Sequence, residues 1–361
     1  MHDRRSFIAM AAAAAPADPL AGRIVVNALG GLGDPNIDGD GDPFTPRVLA
    51  EAHASGLTAV NTTLGYVAGP GDPFEKSVRS LAEYDTFLRA HPKDLLKVFT
   101  AADISRAKDE GRIGIIYGFQ NGAMMGSDAT RVDLFGDMGV RIVQLTYNPL
   151  NQLGGGSMAP GNPGLTPFGR EVVARLNDKR LMVDLSHSGT RTCLDAARAS
   201  KAPISINHTG CRALVDLPRN KTDEELRLVA SRGGFVGIYF MPFLDPTGHA
   251  HAADVVRHIA HAVKVCGEDH VGIGTDGSVT QIDDLQKYAA ALAKENAERR
   301  AAGVAAPGEG PDTYPFTVDL RGPDQFRKLA GLLGGRGFTP RQIDKILGLN
   351  FLRFATDIWG A

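Results

Sequence analysis

Cysteine is scarce in this chain, and the few present do not form a pattern. Cys193, Cys211 and Cys266 are the only three, widely spaced and without a C-x-x-C pair. An odd count at such spacing is no disulfide framework, so at most one bridge can form. Cys211, three residues past His208, either lines a site or serves as a small buried hydrophobe. Net charge is nearly absent too: 39 basic against 41 acidic residues leave −2. With no basic field and no clustered basic run, nucleic acid and anionic membranes are poor partners. No apolar run reaches the roughly 20 residues that a spanning helix needs, so no stable membrane span is expected. Internal repeats and inter-domain linkers are missing, which makes one domain the simplest account. At 43% apolar and 22% charged, the composition is that of a globular protein.

The first residues read as a leader. Arg4-Arg5-Ser6-Phe7-Ile8 is a twin-arginine pattern, an alanine-rich apolar stretch follows to Ala15, and Ala15-Pro16-Ala17 offers a cleavage site. Residues 1–17 are therefore expected to be a signal peptide and 18–361 a single domain. That places the protein in the periplasm or outside the cell, with export of an already folded chain. A chance Arg-Arg pair in a frayed start is the other reading, and it leaves the protein in the cytoplasm.

Short β-rich runs alternate with amphipathic stretches along almost the whole sequence. The runs are 24–29, 57–62, 96–99, 113–119, 141–146, 181–186, 203–207, 235–240 and 271–274. Helical patterns lie between them at 46–54, 75–90, 171–178, 223–231 and 254–265. Thr45 before Pro46 is a capping residue, and Thr222 with Glu225 forms a capping box. Nine strand candidates alternating with helices predict an α/β fold, a (β/α)8 TIM-type barrel with one run to spare. An open doubly wound sheet would carry a glycine-rich phosphate turn leading into a helix. Gly30-Gly31-Leu32-Gly33 instead leads into the loop Asp34–Asp40. The Asp38, Asp40, Asp42 spacing hints at a calcium loop but lacks the glutamate such loops end on, so a solvated loop is expected. Two segments interrupt the alternation. Residues 151–163 read as a long flexible loop at a strand end, where lids occur, and 281–317 as a helix and loop positioned to fold over the mouth.

Strand C-termini converge at one mouth in such barrels, and that mouth is where the chemistry sits. Three runs end on ligand-type residues: Leu181-Met-Val-Asp-Leu-Ser-His187, Pro203-Ile-Ser-Ile-Asn-His208 and Val271-Gly-Ile-Gly-Thr-Asp276. The earlier strand ends carry Asn27, Leu29 and Gln120, which are poor ligands or none. A second histidine group, His249, His251, His258 and His261, is read as exposed helical histidines rather than a metal site.

From Gly164-Leu-Thr-Pro-Phe-Gly169 onward, the chain resembles the membrane (renal-type) dipeptidase family of metallopeptidases. The likeness runs through Met182–His187, Ala202–His208, Arg212-Ala-Leu, Pro218-Arg219-Asn220, Gly233–Ile238, Gly272–Asp276 and Ile346–Arg353, with Gly139–Thr146 before them. The resemblance implies a barrel of the metal-dependent hydrolase kind and a two-zinc site that cleaves dipeptides. It implies that His187 and His208 hold one metal and that Arg219 clamps the substrate carboxylate. Asp276 is implied to bind the other metal and to carry the proton of the attacking water.

The first half departs from the family pattern. The opening His-x-Asp is Asn27-Ala28-Leu29, the bridging glutamate is Gln120, and the histidine of Leu-Thr-His is Tyr147. Two dications about 3.5 Å apart need anionic bridging to coexist. Of the positions that serve the first metal, only Asp276 keeps its charge. We therefore expect at most one ion, zinc or Fe(II), on His187 and His208 with Asp276 or weakly Gln120 completing an open set. Asp276 and Tyr147 are the candidate catalytic residues, Tyr147 as a hydroxyl donor to an oxyanion. The expected activity is hydrolysis of a dipeptide or related small amide. The alternatives are an inactive homologue that binds a small acidic ligand and a metal-free reaction on Asp276 and Tyr147. A homodimer is left open.

Overall fold

β-Branched and apolar residues in short runs, each bounded by Gly, Pro or a capping residue, account for the strands. The computed structural model describes residues 18–37, 41–301, 303–310 and 312–360. The leader expected at 1–17 lies outside the described residues, as do Asp38 and Asp40 of the acidic loop. The strands are β1 (Val26–Gly30), β2 (Ala59–Thr63), β3 (Leu95–Lys97), β4 (Ile113–Phe119), β5 (Val140–Gln144), β6 (Met182–Asp184), β7 (Ser205–Thr209), β8 (Phe235–Ile238) and β9 (Val271–Ile273).

All pairings are parallel, in the order β1-β2-β4-β5-β6-β7-β8-β9. β3 is the spare run. It pairs only with the first half of β4, Leu95 opposite Ile113 and Lys97 opposite Ile115, before β5 takes over from Tyr117. The barrel closes between β9 and β1, where Asp276 N donates to Leu29 O at 2.9 Å and Gly31 N to Gly277 O at 3.2 Å. Asn27 reinforces this seam. Its Oδ1 accepts from Thr275 N and its Nδ2 donates to Thr275 Oγ1, both at 2.8 Å.

Helices follow the strands and begin at caps the sequence displays. Thr45 Oγ1 accepts from Val48 N at the head of Pro46–Ala54. Thr222 and Glu225 close a reciprocal capping box at the head of Asp223–Ser231. The helix expected from residue 75 starts at Pro73, because Asp72 accepts from Phe74 N and Glu75 N and proline suits a first helical position. Helices Pro167–Asp178 and Ala252–Cys266 likewise start before their apolar periodicity does. The C-terminal helix Asn350–Trp359 puts Phe351, Phe354, Ile358 and Trp359 into one cluster with Val26, Ala59, Met182 and Phe235, the first residues of four strands. That cluster floors the barrel and leaves the opposite end for a site. Among the described residues, no helix is long and apolar enough to cross a membrane.

The two interrupting segments behave differently. Residues 151–163 do not form a loose lid: Leu153 through Gly156 are buried. A Cβ on Gly156 would come within 2.4 Å of the carbonyls of Tyr147, Asn148 and Pro149, so only glycine lets the loop press this close. Ser157 N donates to His187 O at 2.7 Å and Met158 N to Asn148 O at 2.9 Å, which makes the segment a wedge beneath the site. The 281–317 segment is what covers the mouth. Its helix, Leu285–Ala301, and the stacked rings of Tyr314 and Phe316 lie over the strand ends, and Val304 O accepts from Asn148 Nδ2 at 2.8 Å.

Candidate active site

Asp184 organises the two histidine-bearing strand ends. Its Oδ1 accepts from Ser186 Oγ at 2.5 Å and from the backbone N–H groups of Ser186 and Asn207, both at 3.0 Å. Ser186 Oγ in turn accepts from His208 N at 3.0 Å. One buried carboxylate thus ties β6 to β7, and burial raises its pKa against those hydrogen bonds.

His187 and His208 meet with their Nε2 atoms 2.9 Å apart. The tautomers follow from the neighbours. Asn148 Nδ2 is committed to Val304 O, so its Oδ1, 2.7 Å from His187 Nδ1, must accept and Nδ1 must carry the hydrogen. The neutral His187 ring then accepts at Nε2 from His208 Nε2–H. His208 Nδ1 is left as a buried lone pair with no hydrogen-bond partner among the described residues. Burial, and then the positive charges of Arg219 and Lys221, push both imidazoles well below their usual pKa, so both are neutral. Tyr147 stacks on His187 with ring centroids 4.3 Å apart and 23° between planes.

Asp276 sits just past β9 with φ of +59°, in the left-handed region. Asp and Asn tolerate that region better than most residues, and a non-glycine held there points to a constraint. The carboxyl is pushed up to about 6 by burial, while Arg219, Arg299 and the Gln120 carboxamide beside it pull the other way. It shares a cavity of about 250 Å³ with Gln120, Tyr147, Arg299 and Glu309. Arg299 reaches in from the covering helix, donating from Nη1 to Tyr147 Oη at 3.4 Å and from Nε and Nη2 to Glu309 at 3.1 and 2.8 Å.

Arg219 is placed behind the wall. It is 2% exposed, its Nη1 donates to Ser186 O at 2.6 Å, and like His187 and His208 it is not among the residues lining that cavity. Lys221 is also buried, donating to Ser188 O and lying 3.6 Å from Glu225. The second histidine group does not converge. His258 is buried between Cys211 N and Leu244 O, while His249, His251 and His261 each face a separate aspartate. Cys211 therefore packs against His258, and all three thiols are free.

The donor set does not fit two dications. Asn27 spends both polar atoms on Thr275, Leu29 contributes only a backbone carbonyl to the barrel seam, and Gln120 brings no charge. Among the described residues, no three His, Cys, Asp or Glu side chains gather as a ligand group, so Asp276 does not join the two histidines. A single ion has two nitrogens to bind. Zn–N bonds of about 2.0–2.1 Å in a tetrahedron set the ligand nitrogens about 3.3 Å apart, a few tenths of an ångström wider than the His187–His208 contact.

Asp184, Asn148, Arg299 and Glu309 have no place in the sequence expectations. Asp184 leaves a trace, a carboxylate inside an apolar run. Arg299 leaves none, because its meeting with Tyr147 joins positions 152 residues apart.

Comparison with known proteins finds the same barrel elsewhere. The chain is 31% identical to an amidohydrolase from Pseudomonas aeruginosa of known structure, with a TM-score of 0.81 over 96% of this chain and all of that one. It is 26% identical over 303 residues to an uncharacterised protein of Klebsiella pneumoniae, covering 80% of this chain and 98% of the relative. A dipeptidase of Claviceps purpurea is 32% identical over 198 residues, 52% of this chain and 46% of that protein. Residues 48–306 match the profile of membrane dipeptidase, peptidase family M19. With that match spanning most of a closed parallel barrel, the chain belongs to the membrane dipeptidase family.

Proposed function

We propose that the protein hydrolyses a dipeptide or a related small amide bearing a free carboxylate, using at most one metal ion. The observation that carries this is the placement of Asp276, with its carboxyl near 6, in one cavity wall with Gln120, Tyr147 and Arg299. A carboxyl titrating there can both take and return a proton near neutral pH, which is what a general base and acid must do. Tyr147 accepts from Arg299, so its own O–H is free to donate to an oxygen that gains charge as the amide is attacked. The Arg219 charge behind the wall favours an anionic guest and holds Asp276 partly ionised. His187 and His208 would hold the ion, zinc or Fe(II), after giving up their mutual hydrogen bond. When bound, such an ion supplies a water whose pKa falls from about 15.7 to about 7.

One observation favours a second reading, a pocket that binds a small acid without cleaving it. His187 and His208 are hydrogen-bonded to each other through their Nε2 atoms, as retired ligands would be. Assay of a dipeptide library separates the two, using chelator-treated protein and protein reloaded with zinc or iron. Turnover by the wild type, lost in Asp276→Asn, supports hydrolysis. Binding without turnover in every metal state refutes it.

A further inference from the structure

Two arginines lie near the site, and only one of them reaches the cavity. Arg219 is the residue that the family pattern nominates for a substrate carboxylate. In this chain it is buried at 2% exposure, with one Nη already donating to Ser186 O. Arg299, from the last turn of the helix over the mouth, lines the cavity beside Gln120, Tyr147 and Asp276. A guanidinium has five N–H donors in a planar fork. Glu309 takes the Nε and Nη2 edge at 3.1 and 2.8 Å, and Tyr147 Oη takes one Nη1 hydrogen at a long 3.4 Å. Two N–H groups, one on each terminal nitrogen, have no assigned acceptor among the described residues. With the long Tyr147 contact turned aside, the terminal edge of the fork offers one N–H from each nitrogen, the edge that binds a carboxylate through two parallel hydrogen bonds.

Glu309 neutralises Arg299 and holds it in place from one edge of the fork only, so the pairing orients the guanidinium without occupying its other side.

We propose that Arg299, rather than Arg219, is the residue that holds the substrate's carboxylate. Glu309 fixes the plane of the guanidinium and Tyr147 sets its reach. The inference rests on the preceding reading that the guest is a small amide with a free carboxylate. It further specifies that the anchor rides on the segment covering the mouth, so the carboxylate end of the substrate lies toward the cover and the scissile bond toward Asp276. An arginine that merely latched the cover to Tyr147 would look similar at rest, and the test has to separate anchor from latch.

Calorimetry on the full chain under chelator provides that separation, with alanyl-alanine and alanyl-phenylalanine each as the free acid and as the C-terminal amide. The wild type should bind the acids more tightly than the amides. In Arg299→Gln the acids should weaken about 10- to 100-fold, the range expected for a charged bidentate contact, while the amides change less than about 2-fold. Arg299→Lys should fall between, since it keeps the charge and loses the fork. An acid–amide gap that survives in Arg299→Gln overturns the proposal, and its disappearance in Arg219→Lys instead would place the carboxylate there. Equal weakening of acid and amide in Arg299→Gln makes the residue a latch and also overturns it. Acid-selective binding by a wild type that never turns a dipeptide over would sink the hydrolase reading while leaving the anchor standing.

Discussion

Replacing Asp276 by asparagine separates the charge of this side chain from its place in the backbone. Asparagine accepts the left-handed conformation at φ +59° as readily as aspartate and is nearly the same size, so the β9 end should keep its shape. What changes is the cost of ionisation. A carboxyl raised from 3.8 to about 6 disfavours the folded, ionised state by about 3 kcal/mol at pH values above both. Because the side chain is partly open to the cavity, that figure is an upper bound. The sign is definite. The folded state binds the proton more tightly than the unfolded chain, so the penalty is full above about pH 6.5 and fades as pH falls toward the unfolded value of 3.8. In metal-free protein, urea denaturation at about pH 7.5 should show Asp276→Asn more stable than wild type by 1–3 kcal/mol. Near pH 4 the gap should shrink below about 1 kcal/mol. Hydrolysis should fall by about 10²–10⁴-fold in the same variant, the usual worth of a positioned proton carrier. A variant less stable than wild type at pH 7.5, or a gap that ignores pH, would refute the reasoning.

Three further outcomes are expected. Asn27→His, Leu29→Asp and Gln120→Glu together should raise zinc content, read by mass spectrometry, toward two per chain. The metal-free triple variant should melt below wild type, because Asn27 gives up both bonds that join β1 to β9. A triple variant that melts as the wild type does and binds no extra zinc would show that these positions do not lie where we place them. His258, buried and lowered from 6.5 to about 4, should cost stability as pH falls between those values. His258→Asn should flatten that limb of the stability–pH curve by up to about 3 kcal/mol, and an unchanged slope would argue against a neutral buried ring.

The barrel was legible because every strand announces itself as a short apolar run between turn or capping residues. Even the spare strand could be anticipated, since nine runs cannot all enter an eight-stranded ring; that it is β3 depends on pairing, which no local pattern records. Helix starts were placed late at Pro73, Pro167 and Ala252, where a cap and the first turn precede the first apolar residue of the face. The histidine pair and the covering segment were readable from strand ends and from an interruption in the alternation. The wedge at 151–163 was misread as flexible, because a glycine-rich string looks the same whether its backbone is free or pressed against three carbonyls. Asn148 and Arg299 stayed hidden for one reason. Their partners are distant in sequence, and a residue's own neighbours say nothing about a hydrogen bond formed across the mouth.

Metal stoichiometry tests the central claim most directly: too few anionic and imidazole donors remain at these strand ends to hold two adjacent dications. Native mass spectrometry of the wild-type protein equilibrated with excess zinc should find no more than one tightly bound ion per chain, absent from His187→Ala. Two retained zinc ions per chain in the unaltered protein would contradict it.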